Sequence, residues 1–304
     1  MCCTSTKRGT GKSAGAVFKF AGRGARRNVC ATLALICALG VTSCAKRYRA
    51  EGVVLRVERD RQTVTISHRE IRGYMPAMTM PFRVKNAAEL SGLAPGARVH
   101  FQLEVTKRGA LVRNLRAQTL QPDGVVADNG QKLRLPPTPE KLAIGAAVPD
   151  FTLTDQSSRP VHLVDFRGQV VALNFVYTRC PLPDVCPRLC AGFARLQKRF
   201  AGRDLALLSV TLDPQYDSPE ILAGYAKIWR ADPARWHFLT GGLEDVQCVA
   251  GRFGIISWPE EGLLTHTSET AVIARDGKLV ALIEGSSYTA EQLGDLIALE
   301  LESH

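Results

Sequence analysis

The hydrophobic periodicity changes once along this chain, and that change sets what the chain can fold into. Over residues 50–120 short runs of period two, "GVVLRVER", "TVTISH", "MTMPFRV", "ARVHFQLEV" and "LVRNLRAQ", are separated by turn-like pieces such as "RDRQ", "LAPGA" and "KRG". Alternation puts every second side chain on one face, as in half-buried strands, and no helix of length fits between the runs. Five such strands predict a small all-β antiparallel barrel at 51–120. From residue 142 the pattern is different. "GQVVALNFVYT", "LALLSVTLD" and "WHFLTG" read as buried strands. "PRLCAGFARLQKRFA", "SPEILAGYAKIWR", residues 243–253 and the tract from about Thr289 read as helices, and "ETAVIARDGKLVALIEG" as a hairpin turning at Asp276-Gly277. Strands alternating with helices, then a hairpin and a closing helix, make the α/β thioredoxin-like order over 142–304. "QPDGVVADNGQKLRLPPTPEKL", rich in Pro, Gly and polar residues, sets a linker at 121–141.

Charge excludes one class of partner. The formal net charge of +10 comes from residues 1–50, which hold ten Lys/Arg and no acid, while residues 51–304 carry 29 basic and 29 acidic side chains. The folded part is neutral, so nucleic-acid binding is set aside. The basic start runs into "NVCATLALICALGVTSC". Its apolar stretch of about a dozen residues is short of the roughly 20 needed to span a bilayer, and it reads as an export signal over 1–43. Val41-Thr42-Ser43-Cys44 resembles a bacterial lipobox, which implies lipidation of Cys44, a tether at 44–50 and a protein held on the periplasmic side of a membrane. A plain signal peptide with an incidental cysteine is the alternative. "RGTGKS" lacks the glycine that a phosphate loop requires and has no strand before it.

Of the four methionines, three fall in six positions, Met75, Met78 and Met80. Met78 and Met80 are two apart on a predicted strand and share a face, with Thr79 pointing away. His68 ends the preceding strand, close enough across a turn to face them. One imidazole and two thioethers form a neutral, soft ligand set that suits Cu(I) or Ag(I) and is poor for Zn(II), Mg(II) or Ca(II). The plainer role, filling core gaps, is the commonest use of methionine. "ISHREIRGYMPAMTMPFRV" resembles the periplasmic copper-binding CusF family, small OB-like five-stranded barrels whose His and two Met residues hold Cu(I) and Ag(I). The resemblance implies His68, Met78 and Met80 as ligands. Where well-known members stack a tryptophan over the metal this chain has Met75, either a further ligand or a bystander.

Four cysteines remain beyond the leader and Cys44: Cys180, Cys186, Cys190 and Cys248. "LNFVYTRCPLPDVCPRLC" places Cys180 and Cys186 between a buried strand and the first turn of a helix, where unpaired N–H groups and the helix dipole favour the thiolate. Thiolates attack disulfides and also bind copper. "DVCP" around Cys186, "TLDPQYDSPEILAGYA", and His266 ahead of "VIARDGKL" resemble the Sco/SenC family over 142–302. That family comprises copper chaperones and thiol oxidoreductases serving the dinuclear copper centre of cytochrome c oxidase. It implies copper, as Cu(I) or Cu(II), on Cys180, Cys186 and His266, with Cys180 and Cys186 as a redox-active pair. The family spacing is Cys-x-x-x-Cys-Pro; here five residues, "PLPDV", separate Cys180 from Cys186. Cys186 with Cys190, three residues between them but one helical turn apart, is the alternative pair. Cys190 and Cys248 otherwise read as packing residues, Asp184 and Asp213 as neighbours of the site by analogy, and His100, His162 and His237 carry no assigned role.

Together these readings describe an exported, membrane-anchored copper chaperone. Its partner would be a copper-accepting oxidase subunit or another periplasmic cuproprotein. A thiol-disulfide oxidoreductase without obligatory copper and a copper or silver tolerance module remain open beside it.

Overall fold

The computed structural model describes residues 45–106, 109–118, 140–260 and 263–303. The expected leader, Cys44 and most of the expected linker lie outside the described residues. Five strands close a barrel: β1 (Lys46–Glu58), β2 (Thr63–His68), β3 (Met78–Val84), β4 (Arg98–Thr106) and β5 (Gly109–Ala117), in the order β1-β2-β3-β5-β4. Every pairing is antiparallel except β3 with β5.

β1 begins earlier than its composition suggests. Residues read as a basic tether pair along β4, from Lys46 opposite Val105 to Ala50 opposite Phe101. The alternation explains it: Tyr48 and Ala50 pack on the barrel core, while Arg47 and Arg49 face solvent and Arg47 pairs with Glu104 at 3.2 Å. Further along, Gly52, Val53, Val54 and Leu55 are all buried. Val54 enters the barrel core and Val53 and Leu55 join the core of the second domain, so both faces of this strand are covered. Each of those two aliphatic side chains contributes about 2 kcal/mol of burial to the junction.

The second domain is a seven-stranded sheet with helices on both faces. Its strands are β6 (Thr152–Asp155), β7 (Pro160–His162), β8 (Val170–Val176), β9 (Leu205–Thr211), β10 (Trp236–Thr240), β13 (Glu269–Ile273) and β14 (Leu279–Glu284). The order is β14-β13-β8-β9-β10-β6-β7, and β8, β9 and β10 run parallel. A separate ribbon joins β11 (Ser257–Glu260) to β12 (Leu263–His266). Continuous apolar runs such as "VVALNFV" and "LALLSVT" are buried on both faces, as parallel strands between helix layers must be. Helices α1 (Cys186–Arg199), α2 (Pro219–Ile228) and α4 (Ala290–Glu302) pack on one face around Phe193, Trp236 and Phe238; α3 (Leu243–Arg252) packs on the other around Phe175 and Phe253. Thr289 and Gln292 form a capping box that starts α4, worth about 1 kcal/mol. The hairpin turns through Gly277 at φ +79°, a conformation that disfavours side chains with a Cβ.

Barrel and sheet are joined as one compact unit within Ser43–His304. Gly96, at φ +91°, lies so near the backbone of Leu282 in β14 that a Cβ there would come within 2.5 Å of the Leu282 carbonyl oxygen. Among the described residues no helix is long and apolar enough to cross a membrane.

Candidate functional site

The sheet delivers one sulfur and the helix behind it the other. β8 is buried to its end, and the chain then leaves the core through Tyr177, Thr178, Arg179 and Cys180. Asp217, fully buried, holds this exit: it accepts hydrogen bonds from the Thr178 amide (3.0 Å), the Thr178 hydroxyl and the Thr211 hydroxyl (2.5 Å). A turn closes from the Cys180 amide to the Tyr177 carbonyl (3.3 Å), residues 181–185 loop outward with Leu182 56% exposed, and Cys186 opens α1 with a proline in its first turn.

The four described cysteines are free thiols. The Cys186 thiol hydrogen-bonds to Cys180, and this bond, helped by backbone donors at Cys186 and Leu182, pulls the Cys180 thiol down to about 5 against partial burial. Cys186 is fully buried; holding that bond to Cys180 and being cut off from water both push its own thiol up. The pair is therefore asymmetric: an accessible thiolate beside a proton-holding partner, the arrangement of an attacking sulfur and its buried companion. Cys190 is turned elsewhere. It is fully buried, 3.7 Å from the Tyr225 hydroxyl, and burial pushes it up to about 12. Cys248, expected to be a buried packing residue, is only half-buried, because it lies where the outer side of α3 begins.

His266 ends β12, opposite Ser257. Its Nδ1 donates to the Thr267 carbonyl at 2.7 Å, which leaves the Nε2 lone pair for a ligand, and burial lowers its proton affinity, so the ring stays neutral. Tyr177 neighbours both this imidazole and Cys180: its ring meets His266 edge-on at 5.6 Å, its hydroxyl donates to the Leu264 carbonyl at 3.1 Å, and burial together with the nearby Cys180 sulfur pushes its phenol up. Among the described residues no three His, Cys, Asp or Glu side chains close on one point as a formed metal centre would. The thiols and His266 are neighbours about Tyr177. His266 also lines a cleft of about 480 Å³ with Arg98 of the barrel, Lys141 and Glu269.

The barrel repeats the histidine arrangement. His68 is 1% exposed, its Nδ1 donates to the carbonyl of the next residue, Arg69, at 2.7 Å, and its Nε2 is buried without a hydrogen-bond partner. β2 pairs with β3 so that His68 lies opposite Met78 and Ile66 opposite Met80, which puts the imidazole and both thioethers on one face. Met78 is 46% exposed; Met80 and Met75 are half-buried and pack on the barrel core. An unpartnered buried nitrogen beside two thioethers fits a soft monovalent ion and leaves a costly polar orphan without one. Met75 forms a bridge with Ile71.

The remaining candidates have ordinary partners. Asp213 pairs with Arg179 at 2.6 Å, and the Asp184 carbonyl accepts from Ser286. His100 lies 3.9 Å from Glu51, His162 bonds Thr152, and His237 lies 3.8 Å from Asp155 with its proton affinity lowered by burial. Sequence alone does not single out Asp217 or Tyr177. Asp217 precedes a Ser-Pro helix start and reads as part of a cap, and Tyr177 reads as the last residue of a buried strand.

A thioredoxin-like domain with an unequal dithiol at the head of its first helix and a neutral histidine across from it defines a thiol and soft-metal protein. A barrel bearing a second such histidine adds to it. The family model described as SCO1/SenC matches residues 140–300, more than half of the chain, and the chain belongs to that family. The model described as copper binding periplasmic protein CusF matches residues 47–117. The chain is 28% identical over 149 residues to the SCO1 protein homolog of Bacillus subtilis, a match covering 47% of this chain and 76% of that protein. It is 30% identical over 141 residues to a putative copper-binding protein of Stutzerimonas stutzeri, covering 44% and 67%. Among solved structures, a SCO1/SenC family lipoprotein from Bacillus anthracis is 29% identical with a TM-score of 0.48, over 52% of this chain and 96% of that one.

Proposed function

We propose that this chain is an exported copper-binding protein with two sites for the metal as cargo. The barrel holds Cu(I) through His68, Met78 and Met80, with Met75 at its edge. The thioredoxin-like domain takes copper on Cys180 and Cys186, with His266 completing the set once Tyr177 gives way. Copper then passes to the copper centre of cytochrome c oxidase, or the same thiols reduce the cysteines of that centre. Anchoring through a lipid on Cys44, on the periplasmic side, belongs to this reading. The observation that carries it is the shared histidine geometry: in both domains a carbonyl one residue on fixes Nδ1–H and leaves the Nε2 lone pair for a ligand, beside the thioethers in the barrel and across Tyr177 from the thiols in the second domain.

Copper per chain, measured on reduced, dialysed protein, tests it. Two equivalents are expected. Cys180→Ser with Cys186→Ser removes one, Met78→Leu with Met80→Leu removes the other, and a stoichiometry indifferent to both pairs refutes the assignment.

A second reading, a thiol-disulfide oxidoreductase for which copper is incidental, draws on the unequal dithiol. It predicts a Cys180–Cys186 potential in the oxidoreductase range and no copper retained at the thiols against a Cu(I) chelator.

A further inference from the structure

β2 and β3 turn one face to the barrel interior, and at one level their other face meets α4 of the thioredoxin-like domain. On the inner face lie His68, Met78 and Met80; on the outer face, between them in sequence, lie Ser67 and Thr79, directly opposite one another. Both outer hydroxyls donate to a single oxygen, Oδ2 of Asp295 on α4, at 2.7 Å from Ser67 and 2.6 Å from Thr79. The other carboxylate oxygen, Oδ1, accepts from the Arg199 guanidinium at 2.8 Å, at the last residue of the helix that Cys186 begins. Gly294 makes room for this pair, since a Cβ there would lie 2.3 Å from the Arg199 guanidinium. One turn earlier on α4, the Gln292 amide donates to the Ser67 carbonyl at 3.0 Å.

Asp295 is thus the meeting point of the methionine strand pair, α4 and α1. Thr79 is the residue between the two thioethers, and Met78 is 46% exposed. Methionine has three rotatable bonds and places its sulfur only as well as its backbone is placed. A charged acceptor taking both strand hydroxyls fixes the backbone of β2 and β3 side by side at the level of His68 and Met78.

We propose that Asp295 is a positioning residue for the barrel's metal site: it holds the His68, Met78 and Met80 strands from outside the barrel, so that the barrel's affinity for Cu(I) depends on a carboxylate of the other domain that never touches the ion. The inference rests on the reading of His68, Met78 and Met80 as ligands.

The test uses the full chain with Cys180 and Cys186 changed to serine, leaving the barrel as the remaining proposed copper site, and measures Cu(I) affinity in competition with a chelator. Asp295→Ala is expected to weaken Cu(I) binding roughly tenfold, as loss of a group supporting a ligand typically does. Ser67→Ala with Thr79→Val, which leaves the Asp295 and Arg199 pair intact, is expected to reproduce that loss. In the chain with native cysteines and Met78→Leu, Met80→Leu, the same Asp295→Ala change is expected to leave copper affinity at the thiols within twofold, which a general loosening of the fold would not do. Affinities unchanged in both barrel-directed variants overturn the inference while leaving the functional reading intact. A parent chain that binds no Cu(I) at the barrel overturns both.

Discussion

The two sulfur sites share a histidine geometry and differ in almost everything else. In the barrel the sulfurs are neutral thioethers two residues apart on one strand, one of them 46% exposed, opposite an imidazole on the neighbouring strand that is 1% exposed. In the thioredoxin-like domain the sulfurs are ionisable, one on a loop and one at a helix start, and the histidine stands off across a tyrosine. Thioethers carry no proton to lose, so the barrel's grip is set by placement. Thiols must ionise first, so the second site is set by electrostatics.

The sharpest way to separate them is Cys186→Ala. Without its hydrogen bond, the Cys180 midpoint for alkylation by iodoacetamide should rise from about 5 toward the ordinary thiol value near 8.5, with the backbone donors at Cys186 and Leu182 holding it short of that, so that the thiolate fraction at pH 6 falls by roughly tenfold or more. Since Cys180 has its affinity for protons lowered, the native protein's alkylation rate should be level near pH 7 and fall as pH drops through about 5. Copper affinity at the barrel should not change; a matching drop there would end the contrast.

Next in size is Asp217→Ala. It strands the Thr178 amide and the Thr178 and Thr211 hydroxyls in a buried place, and the expected cost is about 3 kcal/mol in chemical denaturation. Ser67→Ala alone removes one of two hydroxyl donors to Asp295 on the barrel side and should cost well under half as much.

The smallest effect concerns the cleft beside His266. Burial pushes the Glu269 carboxyl up to about 7 against the pull of Lys141 at 3.2 Å. Its folded proton affinity exceeds the unfolded one, so its stabilising contribution is complete below about pH 4.5 and is lost as pH rises through about 7. Glu269→Gln should therefore raise Tm at pH 8 by about 3 °C and leave it unchanged at pH 5.

How legible the sites were follows the same division. The methionine cluster could be read because strand periodicity alone assigns Met78 and Met80 to one face, and the barrel strands, the hairpin at Gly277 and the capped start at Thr289 are all local patterns. What stayed hidden depends on distant residues. Lys46–Arg49 looked like a tether because two arginines and a lysine outweigh the inward Tyr48 and Ala50, and only β4 gives them a partner. The β11–β12 ribbon carrying His266 is too short for a periodic signal. Asp217 lies 39 residues from Thr178, and Asp295 lies 228 from Ser67, so neither carboxylate announces its donors.

Gly96 has a consequence for any attempt to study the halves apart. β14 is an outermost strand of its sheet, and the barrel's glycine turn rests against its backbone at Leu282. Residues 145–146 pair with this edge only at Leu279, so with the barrel cut away the backbone around Leu282 is bared to other molecules, and an isolated thioredoxin-like half should self-associate through it more readily than the whole chain.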